Sequence, residues 1–428
     1  MKVLMFGWEF PPHISGGLGT ASYGLTRGLS HIKDLSVIFV VPKAFGDEDK
    51  SRISLIGANN VKIKHRQLLL KHFQQNLDFI EVDSKLVPYV DPEDFWKLTR
   101  YEVSGTYKYL NINTEGTVDF SGKYGINLLE EIRNYALVAN IIAQDNTFDI
   151  IHAHDWLTYP AGMAAKEATG KPLVIHVHAT DFDRSGGSVN PAVYNIEKRG
   201  MEAADKIITV SNLTRNIVIE KYNIPPEKVV TVYNAVEPVE PVAKQVQKKG
   251  VTDKVVTFLG RITMQKGPEY FIETARLVLK KMNNVRFVMA GSGDMMEKMI
   301  RRAAELKIMD KFHFTGFLKG EEVFNMLEMS DLYVMPSVSE PFGISPLEAM
   351  QSNVPVLISH QSGVAEILTY AVKTNFWDVQ AMADAIYGVL NYPALSKMFV
   401  KYGKKEVDAL KWENSALKVK QIYDKVLN

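Results

Sequence analysis

The strongest constraint on this chain is a repeated order of short apolar runs, loops and helices. Residues 3–6 are an apolar run, a loop containing Gly16-Gly17-Leu18-Gly19 follows, residues 20–31 read as a helix, and 36–41 are a second run. Further runs at 149–152, 173–178 and 206–210 alternate with helical stretches. Runs that are apolar throughout, rather than at every second residue, have both faces buried, as in a parallel sheet covered by helices. After residue 250 the order restarts, with runs at 255–259 and 285–290 flanking a loop at 260–267 and a helix at 269–281. Runs at 312–314, 332–335 and 354–358 extend this second sheet. No fixed-period repeat accompanies the restart. The expected fold class is therefore α/β, with two Rossmann-like parallel-sheet domains.

Length agrees, since 428 residues exceed one ordinary core and 46% hydrophobic content supplies two. The stretch 238–250 holds Pro238, Pro241 and mixed charges without an apolar period, and reads as a linker between domains at 1–237 and 251–428. An insertion at about 56–125 interrupts the first domain. Its Tyr89, Trp96, Tyr101, Tyr107 and Tyr109 suit either sugar stacking or core packing. A last amphipathic helix at about 409–427 packs on its own domain or docks on the first.

Composition excludes several partners. Fifty Lys and Arg against 49 Asp and Glu leave a formal charge of +1, so no broad basic field holds nucleic acid or an anionic membrane. Without cysteine there are no disulfides, thiolate metal sites or thiol nucleophiles. No segment approaches the roughly 20 apolar residues of an integral membrane span, and the apolar start is too short for a signal peptide. The expectation is a soluble, cytoplasmic protein whose anionic ligands are met locally.

Ligands of open parallel sheets bind beyond the carboxyl ends of strands, and two such sheets facing each other would enclose a deep interdomain cleft. The chemistry-bearing residues fall at those ends. Arg261 and Lys266 lie five apart on a glycine-flanked loop after a strand, a fork and a point charge suited to a diphosphate; the competing reading is a solvated loop. Glu340 and Glu348 flank Pro341, Phe342, Gly343, Ile344 and Pro346, which puts Glu340 on a loop and Glu348 in the first turn of a helix. With Ser345 as N-cap, Glu348 completes a capping box and needs no ligand; the alternative is a carboxylate that accepts ribose hydroxyls beside the backbone amides of Gly343 and Ile344.

His152 and His154, and His176 and His178, are paired two apart at strand ends, with Asp155 and Asp181 nearby. Each pair projects to one face. Such a set suits metal ligation, which would make the chain a metal-dependent hydrolase, or hydrogen bonding to a sugar. Gly16 and Gly17 permit close backbone approach to a ligand or merely a flexible loop, and the residues between them and the strand exclude a dinucleotide fingerprint. Phe317, in Phe314-Thr315-Gly316-Phe317, follows another strand and can offer its backbone to a base.

Taken in order, GGLG, HAHDW, HVHATD, LGRITMQKG and EPFGISPLEAM resemble the two-lobed GT-B retaining glycosyltransferases of the glycogen/starch synthase and family 4 group, from Gly16 to about Glu366. The resemblance implies a hexosyltransferase that moves a hexose, glucose in the glycogen-synthase-like case, from a nucleotide-sugar such as UDP- or ADP-glucose to a glucan or other glycan acceptor. It implies retained anomeric configuration, no metal and no cofactor. Arg261 and Lys266 match its diphosphate-binding cations, Glu348 its ribose-binding carboxylate, and Glu340, Phe342 and Gly343 the loop around the donor hexose. His178 matches the donor-sugar histidine, with His154, Asp155 and Asp181 on the acceptor side. Ile14 stands where synthases using ADP-glucose carry a lysine. A family 4 transferase building another glycoconjugate and a non-catalytic nucleotide-sugar-binding protein remain the alternatives.

Overall fold

A computed structural model describes residues 1–13, 16–48, 53–62, 117–125, 127–237 and 252–428. Ile14, the linker 238–250 and the insertion aromatics Tyr89, Trp96, Tyr101, Tyr107 and Tyr109 lie outside the described residues. The chain divides into two units. The first comprises Met1–Phe182, Gly187–Asn234 and Trp412–Asn428, and the second Asp183–Gly186 and Ala235–Lys411.

The first unit is built on strands β1 (Lys2–Phe6), β2 (Ser36–Val41), β3 (Ser54–Gly57), β4 (Ile150–His154), β5 (Leu173–Val177), β6 (Lys206–Thr209) and β7 (Val229–Thr231). They form one parallel sheet in the order β3-β2-β1-β4-β5-β6-β7. Helices α1 (Gly17–Ser30), α2 (Leu128–Asp145), α3 (Tyr159–Thr169), α4 (Asp181–Ser185), of which only Asp181 and Phe182 belong to this unit, α5 (Pro191–Ala203) and α6 (Asn212–Tyr222) accompany it. Local signals set several boundaries. Asn190 caps α5 by accepting from the amides of Ala192 and Val193, Ser211 caps α6 through the amide of Thr214, and left-handed Gly170 ends α3. The core gathers Leu4, Phe6, Ile38, Val40, Tyr135, Trp156 and Ile175, and takes in Val118, Phe120 and Tyr124 from the end of the sequence-defined insertion.

The second unit repeats the plan with β8 (Lys254–Leu259), β9 (Val285–Ala290), β10 (Phe312–Gly316), β11 (Leu332–Met335), β12 (Val356–Ser359) and β13 (Val372–Thr374), ordered β10-β9-β8-β11-β12-β13. Its helices are α7 (Pro268–Leu279), α8 (Met296–Glu305), α9 (Glu321–Glu328), α10 (Ser345–Gln351), α11 (Val379–Asn391) and α12 (Pro393–Asp408). Val256, Phe258, Phe271, Phe287, Val334 and Leu357 form the main core, while Val255, Val288, Ala290 and Met326 form a smaller cluster. The last helix, α13 (Trp412–Leu427), returns to the first unit, where Trp412 lies against Gly24 of α1.

Both sheets reverse strand order beside their first strand, β1 against β4 and β8 against β11. Crossovers depart to opposite sides there and leave a crevice at the carboxyl ends, so loops following these four strands are the places to seek a ligand site. Among the described residues no helix is long and apolar enough to cross a membrane.

Candidate active site

In the second unit the reversal lies between the loop after β8 and the loop after β11. Glycines let these loops close. Gly267 has φ +68 and Gly291 φ +139; a Cβ on Gly267 would overlap the Pro336 carbonyl oxygen, and one on Gly291 that of Gly260. Backbone bonds then tie the strand ends together, Gly260 N donating to Ala290 O at 3.0 Å, Ile262 N to Ser292 O at 2.8 Å and Val338 N to Gln265 O at 2.9 Å.

On this frame Lys266 Nζ pairs with Glu340 Oε2, both side chains being largely withdrawn from water. Glu340 is fixed through its backbone, its amide donating to Gln361 O and its carbonyl accepting from Gly363 N, each at 2.9 Å. Phe342 O in turn accepts from Val364 N at 2.8 Å. Gly343 has φ +102, a conformation that favours glycine, and packs beside Met335 and Glu340. Arg261 donates to Gln265 Oε1 at 3.2 Å. One corner of the sheet thus gathers Arg261, Lys266, Glu340, Phe342, Gly343, Ile344 and Glu348, whereas Phe317 follows β10 at the sheet's edge with its ring exposed and Lys319 over it.

The capping box expected at Ser345 does not form. Helix α10 has Ile344 at its N-cap and no side chain caps it. The Ser345 hydroxyl instead hydrogen-bonds Tyr333 Oη at 2.7 Å, a buried partner on β11 that sequence reasoning missed. The structural explanation for Glu348 therefore falls away. Burial pushes its carboxyl up to about 7, the behaviour of an acid whose desolvation is not repaid by the protein.

In the first unit Gly16 is the N-cap of α1 and Gly17 its first residue, and a Cβ at either would meet open space. Across the reversal β4 runs on to His154, two residues beyond the expected end, because His154 pairs in register with His176 of β5. His152, His154, His176 and His178 form a buried array in which neighbouring ring centroids are 4.4 to 5.4 Å apart, from His152–His154 and His176–His178 at 4.4 Å to His152–His176 at 5.4 Å. His154 Nδ1 lies 2.9 Å from His178 Nε2, and Tyr423 of α13 reaches His152 Nδ1. Burial, reinforced by a neighbouring imidazole for His152, brings His152 and His178 down to about 3. His154 and His176 are lowered well below the ordinary histidine value by the same causes. All four rings are neutral near pH 7.

His152, His154 and His176 offer ring nitrogens within 4.8 Å of one another. Their planes are nearly parallel, 14° for His152–His154 and 21° for both pairs with His176. An imidazole lone pair lies in its ring plane, so stacked rings do not aim at a common point; ligation would require turning them. Nearby carboxylates are engaged with backbone. Asp155 Oδ1 accepts from His178 N at 2.6 Å and Ala179 N at 3.3 Å, and Asp181 Oδ2 accepts from Asn190 N at 2.6 Å.

The chain resembles the Anabaena protein HepE solved in complex with UDP and glucose, with a TM-score of 0.68 and 15% identity, over 99% of this chain and 100% of that one. The family model for glycosyl transferases group 1 matches residues 239–406, and that for glycosyltransferase family 4 matches 119–240. The chain belongs to the GT-B glycosyltransferases. Among its relatives, this glycosyltransferase is 28% identical to an uncharacterized glycosyltransferase of Methanocaldococcus jannaschii over 99% of its own length and 98% of the relative's. It is 25% identical to the glycogen synthase of Mycobacterium tuberculosis over 64% of its length and 68% of that enzyme's.

Proposed function

We propose that this glycosyltransferase moves a glucosyl unit from UDP- or ADP-glucose to a hydroxyl of a glucan or related glycan, with retention of configuration and without a metal. The observation that carries the proposal is the corner after β8 and β11, where Lys266 pairs with Glu340 on loops that also carry Arg261 and lead to the half-buried Glu348 at the start of the uncapped helix α10. Two cations suit a diphosphate, and a desolvated carboxyl gains most from hydroxyl donors, the two polar ends of a nucleoside diphosphate. The glycogen synthase relative and the UDP-and-glucose complex of HepE support the choice of donor.

Cleavage of the donor's glycosidic bond places negative charge on the departing diphosphate. Cations fixed before the reaction stabilise that charge more than the ground state, so Arg261 and Lys266 act on the leaving group. Glu340 holds Lys266 ready and the Phe342–Gly343 turn lines the hexose. His178 serves as a neutral hydrogen-bonding contact to the hexose, Phe317 offers its backbone to the base, Gly16 and Gly17 leave room for the donor, and Asp155, His154 and Asp181 lie on the acceptor side. In the front-face scheme the leaving phosphate takes the acceptor proton, so no protein nucleophile is required.

The test offers UDP-, ADP- and GDP-glucose to the protein with a glucan primer in excess EDTA. Release of the nucleoside diphosphate is the readout, and NMR gives the anomeric configuration of the product. Retained α-glucosyl product from UDP- or ADP-glucose is expected. An inverted product, or activity that EDTA abolishes, refutes the proposal.

A further inference from the structure

We propose that the exposed face of α12 is a docking surface for the headgroup layer of an anionic lipid bilayer. The helix is anchored so that this face cannot turn inward. Gly403 and Val407 are buried, a Cβ on Gly403 would run into Met350 Cε, and Leu395 and Phe399 pack against the main core of the second unit. Glu406 ties the helix to the chain just before edge strand β13, its carboxylate accepting from Thr369 N at 2.7 Å and Tyr370 N at 3.0 Å.

On the opposite side Ala394, Met398 and Tyr402 succeed one another at four-residue intervals, and so do Lys397, Lys401 and Lys405. All six are exposed. Residues four apart share a helix face, and the two sets are three residues out of step, so they form adjacent rows about 60° apart and about 12 Å long. Tyr402 is braced by Tyr370, the two rings stacked with centroids 5.1 Å apart, and Lys401 Nζ lies 5.4 Å from the Tyr402 centroid. At the head of the helix the N-cap Tyr392 is 62% exposed.

Charge is concentrated on the same stretch. From Tyr392 to Lys405 the chain carries four lysines and no acid, in a protein whose formal charge is only +1. The acids that follow are occupied, Glu406 by backbone amides and Asp408 by Lys404 at 2.9 Å. Lys397, Lys401 and Lys405 make no ion pair among the described residues.

Single exposed apolar side chains are ordinary, but an apolar row alongside a lysine row fits a partner that is apolar and anionic at once. A bilayer with anionic headgroups has that layering. Lysine stems lie along apolar surface while their heads reach the phosphates, and tyrosine suits the headgroup level. Nucleic acid would use the lysines and leave the apolar row in water. A second copy of the chain, meeting this face through a two-fold contact, would set one lysine row against the other. One short row is a weak signal, so the attachment is reversible.

Sedimentation of the full-length protein with lipid vesicles provides the test. Binding is expected to phosphatidylcholine and phosphatidylglycerol mixed in equal parts at about 0.1 M salt, with release at about 1 M, where charges are screened. Pure phosphatidylcholine should retain little. Each lysine at an anionic surface strengthens binding roughly fivefold, so Lys397→Glu, Lys401→Glu and Lys405→Glu together should lower partition at least about 100-fold with an unchanged circular dichroism spectrum. Because the chain has no cysteine, Met398→Cys takes a single polarity-sensitive dye. Its emission should shift to the blue on the mixed vesicles. A dye on Met309→Cys, exposed just before β10 at the other edge of the sheet, should not respond. Equal binding to both vesicle types, no binding to either, or two dyes that respond alike overturns the proposal even if the triple variant fails to fold. So does a folded triple variant that still binds, and so does a concentration-dependent dimer, seen without vesicles, that Met398→Asp dissolves.

Discussion

Lys266 and Glu340, 74 residues apart in sequence, are joined as an ion pair where the second sheet reverses its strand order. The pair binds the loop after β8 to the loop after β11, so one contact both closes the corner and stores a cation there. In the proposed reaction the stored cation is what the leaving diphosphate requires. Lys266 thereby links the stability of the second unit to its chemistry, and the two roles can be separated.

Lys266→Ala should lower turnover by roughly 10²–10³-fold, the loss typical when one preorganised charge-stabilising group is removed. It should also cost about 1–3 kcal/mol of stability, because Glu340 is left withdrawn from water without its partner. Adding Glu340→Gln should restore most of that stability and none of the turnover. Urea melts and steady-state diphosphate release measure the two effects, and a folded Lys266→Ala enzyme with near-normal turnover would refute the role assigned to Lys266.

Glu348 gives the opposite combination. Its carboxyl, raised to about 7, stays protonated in the folded chain over a range where the unfolded chain has already ionised. Stability therefore falls as pH rises from about 4.5 towards 7, and the loss persists above. Glu348→Gln removes the titration and should stabilise the unliganded protein at pH 8 by about 1–3 kcal/mol. The same change should raise the donor KM about tenfold or more, since glutamine is a weaker acceptor for hydroxyls than a carboxylate. Thermal melts at pH 5 and 8, with donor titrations, check both signs.

Much of this corner's placement was legible in the sequence, because charged residues soon after apolar runs in an α/β pattern lie beyond the carboxyl ends of strands. Arg261, Lys266 and Glu340 were found that way. Ser345 was misread for a physical reason: its hydroxyl has a local use as a cap and a tertiary use on Tyr333, and only packing shows that Tyr333 wins. Strands β3, β7 and β13, three or four residues long at or near sheet edges, lack the apolar run that announces an interior strand. The histidine pairs were legible through their spacing of two. Tyr423, the partner of His152, lies 271 residues away, and no local pattern announces it.

The return of α13 to the first unit depends on small residues. Trp412 is buried, and Gly24 and Gly28 on α1 leave no room for a Cβ against it. Trp412→Ala should cost about 3–5 kcal/mol, as truncation of a large buried aromatic does. Gly24→Val should destabilise comparably by overpacking the same contact. Chemical denaturation of each variant measures the loss, and a Trp412→Ala protein within 1 kcal/mol of wild type would show that the contact does not anchor the helix.

The histidine array should make the first unit labile to mild acid. His152, His154, His176 and His178 resist protonation when folded, chiefly through burial, but titrate near 6.5 once the chain is unfolded. Below that value the unfolded chain takes up protons that the native rings refuse. Stability is thus fully present above about pH 6.5 and declines as pH falls towards 3, each ring contributing up to about 1.4 kcal/mol per pH unit. Between pH 6.5 and 5 most carboxylates are still ionised in both states, which makes this the interval where the array dominates. His176 provides the cleanest test, since neither of its ring nitrogens has a hydrogen-bond partner among the described residues. His176→Phe retains a stacking ring, loses a titration and forfeits no hydrogen bond, so its stability should fall less steeply by about one ring's share. Urea midpoints of wild type and His176→Phe at pH 8, 6.5, 5.5 and 5 provide the comparison; equal slopes in the two proteins would mean that His176 is not held neutral by the fold.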